Sequence, residues 1–297
     1  MKNVWMLFAA AGLAVAPAPA HAQAAPAQVR TYTASPAGFG VNSYLVETAK
    51  GVVVIDAQFL VSEARKVKAL VDQTGKPLLG VIVTHPHPDH FNGVGVLTGG
   101  DARIPVYATA ATAEGIRAVE AGKRQYFKPM YGADYPDQTT LPTRVVKNNE
   151  RLKLGGLTFV VHDVGAAEAS NNSVVYVPEL KALFTSDLLY HDNHAWLMDG
   201  HLEEWLSQLA AVKKAYPAAE TVYTGHGGAT TPAAFDQQAD YIRFVQTSVR
   251  TATAAGTPLS PEAKARVKAQ VQQRYPGYGL DLLIDMNTDA LAKKTQK

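Results

Sequence analysis

One ten-residue stretch, THPHPDHFNG at positions 84–93, constrains this chain more than any other. It follows LLGVIV (78–83), a short apolar run rich in β-branched residues that reads as a buried strand ending at a sheet rim. His85, His87, Asp89 and His90 crowd three imidazoles and a carboxylate into six positions. Pro86 and Pro88 fix φ and lack an N–H, so a stiff loop is expected here rather than helix or strand. Zinc is bound by these groups, and ligands on a rigid loop lose little entropy on binding. The plain alternative is a turn that happens to be histidine-rich. Three of the chain's nine histidines, packed with an acid just after a strand, argue for a metal site instead.

The N-terminus is set aside before any fold reasoning. Lys2 gives a positive start, residues 4–16 are apolar, and Ala20-His21-Ala22 precedes Gln23. This is the pattern of a secretory signal peptide over 1–22, cleaved after Ala22. The apolar run is shorter than the roughly 20 residues a spanning helix needs. A periplasmic or secreted protein is therefore expected, with no stable membrane insertion after signal removal. The chain has no cysteine, which excludes disulfides, zinc–thiolate sites and cysteine nucleophiles. Any metal must be held by histidine and carboxylate. The formal charge is only +2 and the basic residues are scattered, so no nucleic-acid partner is expected. A small molecule is the expected partner, and the oligomeric state is left open.

Residues 23–28 read as a flexible leader and 29–255 as one main domain of mixed α/β (α+β) class. Three short strands are expected at 29–34, 42–47 and 51–56. A helix follows over 62–73, with Ser62 as N-cap and Gly75 as its stop. Beyond the histidine loop come a short helix and a strand at 104–108. Residues 121–142 settle into neither period and carry Tyr126, Phe127, Met130, Tyr131 and Tyr135, the composition of a lid insertion or of rings packed onto the body. Strands are expected again at 144–146, 151–154, 157–164, 173–177, 182–186 and 221–224. An amphipathic helix spans 202–216. Helices over 232–255 and 261–275 end the chain, with 256–297 as a C-terminal helical extension. Strand and helix alternating in two similar halves suggest two sheets packed face to face, with helices outside.

Three further ligand-type residues sit at strand ends beside small residues. Glu168 lies in the loop GAAEAS (165–170), Asp187 follows the strand at 182–186, and His226 stands between Gly225 and Gly227. Singly they read as a solvated acid, a helix N-cap and a turn residue. Together they supply the ligands that the first cluster lacks.

With these residues assembled, the sequence resembles the metallo-β-lactamase-fold hydrolases over roughly 29–255. Their HxHxDH motif is matched by His85, His87, Asp89 and His90, the later bridging acid by Asp187 and the final Gly-His by His226. The resemblance implies an αββα sandwich with two Zn²⁺ in a groove between loops. His85 and His87 would serve one site, Asp89, His90 and His226 the other, and Asp187 would bridge. Glu168 stands where most members carry a third histidine in a Gly-His-Thr setting. Either it replaces that ligand, or the first site is weakened. The surrounding AEASNNSVVYVPELKAL resembles the alkylsulfatase branch, where a glutamate is a ligand, and this favours the first outcome. An added carboxylate alters metal preference, so Fe or Mn is an alternative to zinc.

The resemblance implies hydrolysis of a small cyclic amide, lactone or ester by a metal-bridging hydroxide that Asp89 aims, with no amino-acid nucleophile. Sulfate-ester hydrolysis, iron-dependent oxidoreduction and non-catalytic metal binding are the competing readings. Asp56, at a strand end, is expected to orient a ligand histidine. His191, Asn193 and His194 are candidates to donate to a developing oxyanion. Trp196 and Met198 are candidates to line an apolar pocket beside the 121–142 aromatics. His162 is read as structural.

Overall fold

The computed structural model describes Met1 and residues 27–253 and 259–295. The expected signal peptide and most of the leader therefore lie outside the described residues. In chain order the elements are β1 (Gln28–Thr33), β2 (Asn42–Glu47), β3 (Val52–Ile55), α1 (Val61–Gln73), β4 (Leu78–Ile82), α2 (Pro88–Phe91), α3 (Val94–Thr98), β5 (Val106–Thr109) and α4 (Ala110–Tyr131). The second half holds β6 (Arg144–Val146), β7 (Glu150–Leu154), β8 (Leu157–Gly165), β9 (Asn172–Val177), β10 (Ala182–Tyr190), α5 (Leu202–Ala215), β11 (Thr221–His226), α6 (Ala234–Ala252), α7 (Pro261–Arg274) and α8 (Leu282–Thr295).

The strands form a six-stranded sheet ordered β1-β2-β3-β4-β5-β6 and a five-stranded sheet ordered β11-β10-β9-β8-β7. Side-chain alternation assigns each face. Val53 and Ile55 of β3 point between the sheets and meet Phe159, Val161, Val175 and Phe184. Val52 and Val54 point the other way, onto Val67 and Val71 of α1 and Leu97 of α3. On the second sheet, Val174 and Leu183 face outward and are covered by Trp205 and Leu209 of α5 and by α6 to α8. Apolar burial on both faces of both sheets produces the αββα layering.

Several local expectations are corrected. The histidine loop contains one helical turn, α2, because Pro88 occupies a first-turn position where its missing N–H costs nothing. Ser62 lies inside α1 rather than capping it; its N–H and hydroxyl both donate to Asp134, each at 2.7 Å. Residues 110–131 form one continuous helix, α4, capped by the Thr109 side chain. The 121–142 segment is thus largely helical rather than an irregular insertion. Its rings divide between two jobs. Phe127, Tyr131 and Tyr135 pack edge-on around Phe59 at centroid distances of 5.1–5.4 Å, whereas Tyr126 and Met130 remain exposed. The C-terminal extension carries an additional helix, α8, packed against α6 and α7. Among the described residues, no helix is long and apolar enough to cross a membrane.

Candidate metal centre

All seven ligand-type side chains named from sequence converge at one end of the sandwich, where loops leave the strand ends. They form two groups that share Asp187: His85, His87, Glu168 and Asp187, and Asp89, His90, Asp187 and His226. In the first group His85 Nε2 lies 3.6 Å from Glu168 and 3.8 Å from Asp187, and His87 Nδ1 lies 3.2 Å from Glu168. In the second, His90 Nε2 is 3.2 Å from Asp187 and 3.5 Å from Asp89, while His226 Nε2 is 3.4 and 3.5 Å from the same two acids. A tetrahedral cage with bonds of 2.0–2.2 Å has ligand–ligand edges of roughly 3.3–3.6 Å. The separations fit.

The hydrogen-bonding pattern supplies a second fit. His85 Nε2, His90 Nε2, Glu168 Oε2 and Asp187 Oδ1 are buried and make no hydrogen bond. Buried polar atoms are rarely left this way. Meanwhile the opposite nitrogen of each imidazole is held. His90 Nδ1 meets Asp56 at 2.8 Å, His226 Nδ1 meets the Phe39 carbonyl at 3.0 Å, His85 Nδ1 meets Thr84 Oγ1 at 3.1 Å and His87 Nε2 meets Asp199 at 3.4 Å. Fixing one nitrogen sets the tautomer and aims the other inward, which is how metal-binding histidines are supported.

Strained backbone contributes to this support. Asp56 (φ 60°) and Ser186 (φ 46°) are non-glycine residues in the left-handed region. Asp56 also accepts hydrogen bonds from the Thr84 N–H and hydroxyl and from Ser186 Oγ. At Ser186 the register of β10 against β11 shifts, a bulge that re-aims the following side chains. The strand continues past Ser186 to Tyr190. Opposite it, Gly225 makes room for the shared acid, since a Cβ there would come within 1.7 Å of Asp187 Oδ1.

Three carboxylates in one buried pocket need positive charge. Burial opposes charging His87 and His226, but Glu168 and Asp199 raise the first to about 10, and Asp187 and Asp89 raise the second to about 10. His90 is likewise driven well above the usual imidazole value by Asp187, Asp89 and Asp56, despite its burial. Burial and the neighbouring His90 hold His85 well below it. Burial pushes Glu168 up to about 7 against the pull of His87. Protons on the imidazoles thus balance the acids, and cations bound at the two groups would displace them.

The remaining candidates fare differently. Asp56 lies against His90, where it was expected to support a histidine. Trp196 lines the cavity above the cluster, with its ring 5.8 Å from that of His87. His191, Asn193 and His194 are not among the cavity-lining residues. His191 Nδ1 meets the Gly228 carbonyl, Asn193 donates to the His191 carbonyl, and buried His194 packs against Tyr241 and Tyr278. Local turn geometry, α6 and the segment between α7 and α8 claim these polar groups. Met198 does not line the cavity either.

Two residues at the site carry no sequence signal of their own. Tyr190 donates to Asp187 at 2.7 Å and stacks on His226 at 4.9 Å. Asp199 meets His87 and accepts from Trp196 Nε1 at 2.8 Å. It lies in a loop far along the chain, and only the fold brings it near.

Comparison with known proteins agrees with this geometry. The family model described as the metallo-beta-lactamase superfamily matches residues 36–226. Metallo-beta-lactamase IND-1 of Chryseobacterium indologenes is 26% identical over 202 residues, covering 63% of this chain and 72% of that protein. A linear primary-alkylsulfatase from Pseudomonas sp is 29% identical over 201 residues, covering 56% of this chain but only 28% of the alkylsulfatase. Among solved structures, a metallo-beta-lactamase from Pontibacter korlensis superposes with a TM-score of 0.57 at 20% identity, covering 73% of this chain and 93% of that one. The paired His/Asp/Glu cluster at the strand ends and the matched stretch that contains it lead to one conclusion: this chain belongs to the metallo-β-lactamase superfamily and is a metal-dependent hydrolase.

Proposed function

We propose that this chain is a dinuclear zinc hydrolase acting on a small ester, lactone or cyclic amide. One observation carries the reading: Asp187 is shared by two ligand groups, each otherwise complete. His85, His87 and Glu168 would hold one cation, Asp89, His90 and His226 the other, and Asp187 both. The chemistry such a pair supplies is polarisation of the scissile group and a water acidic enough to react near neutral pH. The chain's own side chains do the positioning. Asp56 fixes His90, the Phe39 carbonyl fixes His226, and the Tyr190 hydroxyl fixes Asp187. Asp89 faces the cavity, and its carboxylate can accept a hydrogen bond from water and aim it. No serine or cysteine nucleophile is required. The expected signal peptide supports action in the periplasm or outside the cell.

Sulfate-ester cleavage is a second reading, supported by Glu168 within the first group and by the similarity to an alkylsulfatase. Metal analysis of zinc-loaded protein, combined with a panel of nitrocefin, acyl-homoserine lactones, aryl esters and alkyl sulfates, tests both. Two zinc ions per chain and turnover of an ester, lactone or amide are expected. Turnover of alkyl sulfates alone would favour the second reading. One zinc or none, with no turnover of any substrate, would overturn both.

A further inference from the structure

The cluster forms the floor of a cavity of about 350 Å³, within the size range of small-ligand pockets. Its upper walls are apolar and come from two helices. From α4 come Tyr126 and Phe127; from α8 and the residue pair before it come Leu280, Leu282, Leu283 and Met286. The α8 residues lie beyond the stretch matched by the family model, which ends at residue 226.

The wall is built into the fold. Buried Asn287 of α8 accepts from the Leu197 N–H at 2.8 Å and donates to the Ala195 carbonyl at 2.7 Å. This grips the loop that carries Trp196 on either side of that residue. Backbone bonds from His194 to Gly279 and from Gly279 to Asp192 tie the same loop to the start of α8. Among the described residues, Lys123 of α4 is the one Lys or Arg side chain lining the cavity, and it sits 5.9 Å over the Trp196 ring, where it also acts on Asp199. The α8 residues that line the cavity, Leu282, Leu283 and Met286, are all uncharged. At the mouth, Tyr126 (66% exposed), Leu282 (49%) and Met286 (39%) leave apolar surface in water, continuous with the cavity.

We propose that the groove between α4 and α8 is a subsite for an uncharged apolar chain, and that the substrate is an amphiphilic ester or lactone. Its reacting group sits on the cluster and its alkyl or acyl chain runs outward between the helices. This rests on the hydrolase reading above and adds the substrate class to it. Tyr126, Leu282 and Met286 then exchange water for chain methylenes. The gain per methylene is roughly fourfold in kcat/KM, the fold-change that corresponds to about 0.8 kcal/mol per buried CH₂.

The test uses the full, zinc-loaded chain and two ester series from two to ten carbons. In p-nitrophenyl esters the chain is on the acyl side; in alkyl acetates it is on the alcohol side. A rise in kcat/KM with chain length is expected in one series, which identifies the side that enters the groove. Leu282→Ser and Met286→Ser, both at partly exposed positions, are expected to flatten that rise. Calorimetric titration of the metal-free protein with decanol and with butanol gives an independent reading, with measurable binding of decanol only. Equal kcat/KM across both series and no decanol binding would overturn the subsite, as would a rise that neither variant alters. If no ester is hydrolysed by metal-loaded protein, the hydrolytic reading fails, and the decanol titration decides the subsite alone.

Discussion

The floor and the walls of the cavity are built by opposite means. The ligand-type side chains of the floor come from strand ends and adjoining loops, from the single turn of α2 and from β10 just past its bulge, and each imidazole is pinned by a second contact. Two supporting residues hold the strained left-handed backbone that this demands. The walls are helix faces bearing aliphatic and aromatic groups, several of them half in water. Directional chemistry needs fixed atoms, and a sheet edge fixes them at small cost because the sheets on either side are fully packed. Apolar contact needs area rather than direction, so helices that shift slightly can serve. The floor should therefore fail abruptly when altered, and the walls gradually.

The largest effect is expected at the shared acid. Asp187→Ala removes a ligand from both groups, so bound zinc should fall below two per chain and kcat/KM by roughly a thousandfold or more, the scale of several kcal/mol of metal-supplied stabilisation. Elemental analysis and kinetics check this together. A variant that keeps two zinc ions and most of its activity would show that the groups do not share Asp187.

A smaller loss is expected one layer back. Asp56→Asn keeps the shape but loses the charge beside His90, and zinc affinity should weaken roughly 10–100-fold in a competition titration with a chelating dye. Unchanged affinity would reduce Asp56 to a structural turn residue.

The smallest effect is expected in the wall. Asn287→Ala leaves the Leu197 N–H and the Ala195 carbonyl buried without that partner, at a cost of about 1–3 kcal/mol in urea unfolding. Zinc content should stay at the wild-type value, because Asn287 touches no ligand. Loss of zinc in this variant would mean that floor and wall are coupled, against the distinction drawn here.

The same division separates what could be read in the sequence from what could not. The histidines of the 84–93 stretch lie close together in the chain, and two prolines advertise their rigidity. Asp187 and His226 stand at the ends of apolar runs, so strand ends alone suggest them. Glu168 could be placed with the ligands because its loop lies between two recognisable strands. Tyr190 is harder to see, because the bulge at Ser186 breaks the alternation that would have predicted its direction. His191, Asn193 and His194 look like site residues because they follow Asp187 closely. Nearness in sequence does not specify direction, and the backbone of the 191–194 turn points them at carbonyls and α6 instead. The rings of 121–142 hide a helix because they serve two partners, Phe59 on one side and the cavity on the other.

Sequence by itself indicated two sheets packed face to face with helices outside, since strand and helix alternate in two similar halves. The absence of cysteine limited any ligand set to imidazoles and carboxylates, and the resemblance to the metallo-β-lactamase fold pointed to the particular residues. Tertiary structure alone decided which nitrogen of each histidine faces inward, that Asp199 and Tyr190 attend the cluster, and that α8 closes the cavity. These depend on contacts between segments far apart in the chain, and such contacts exist only after the two sheets and their helices have packed.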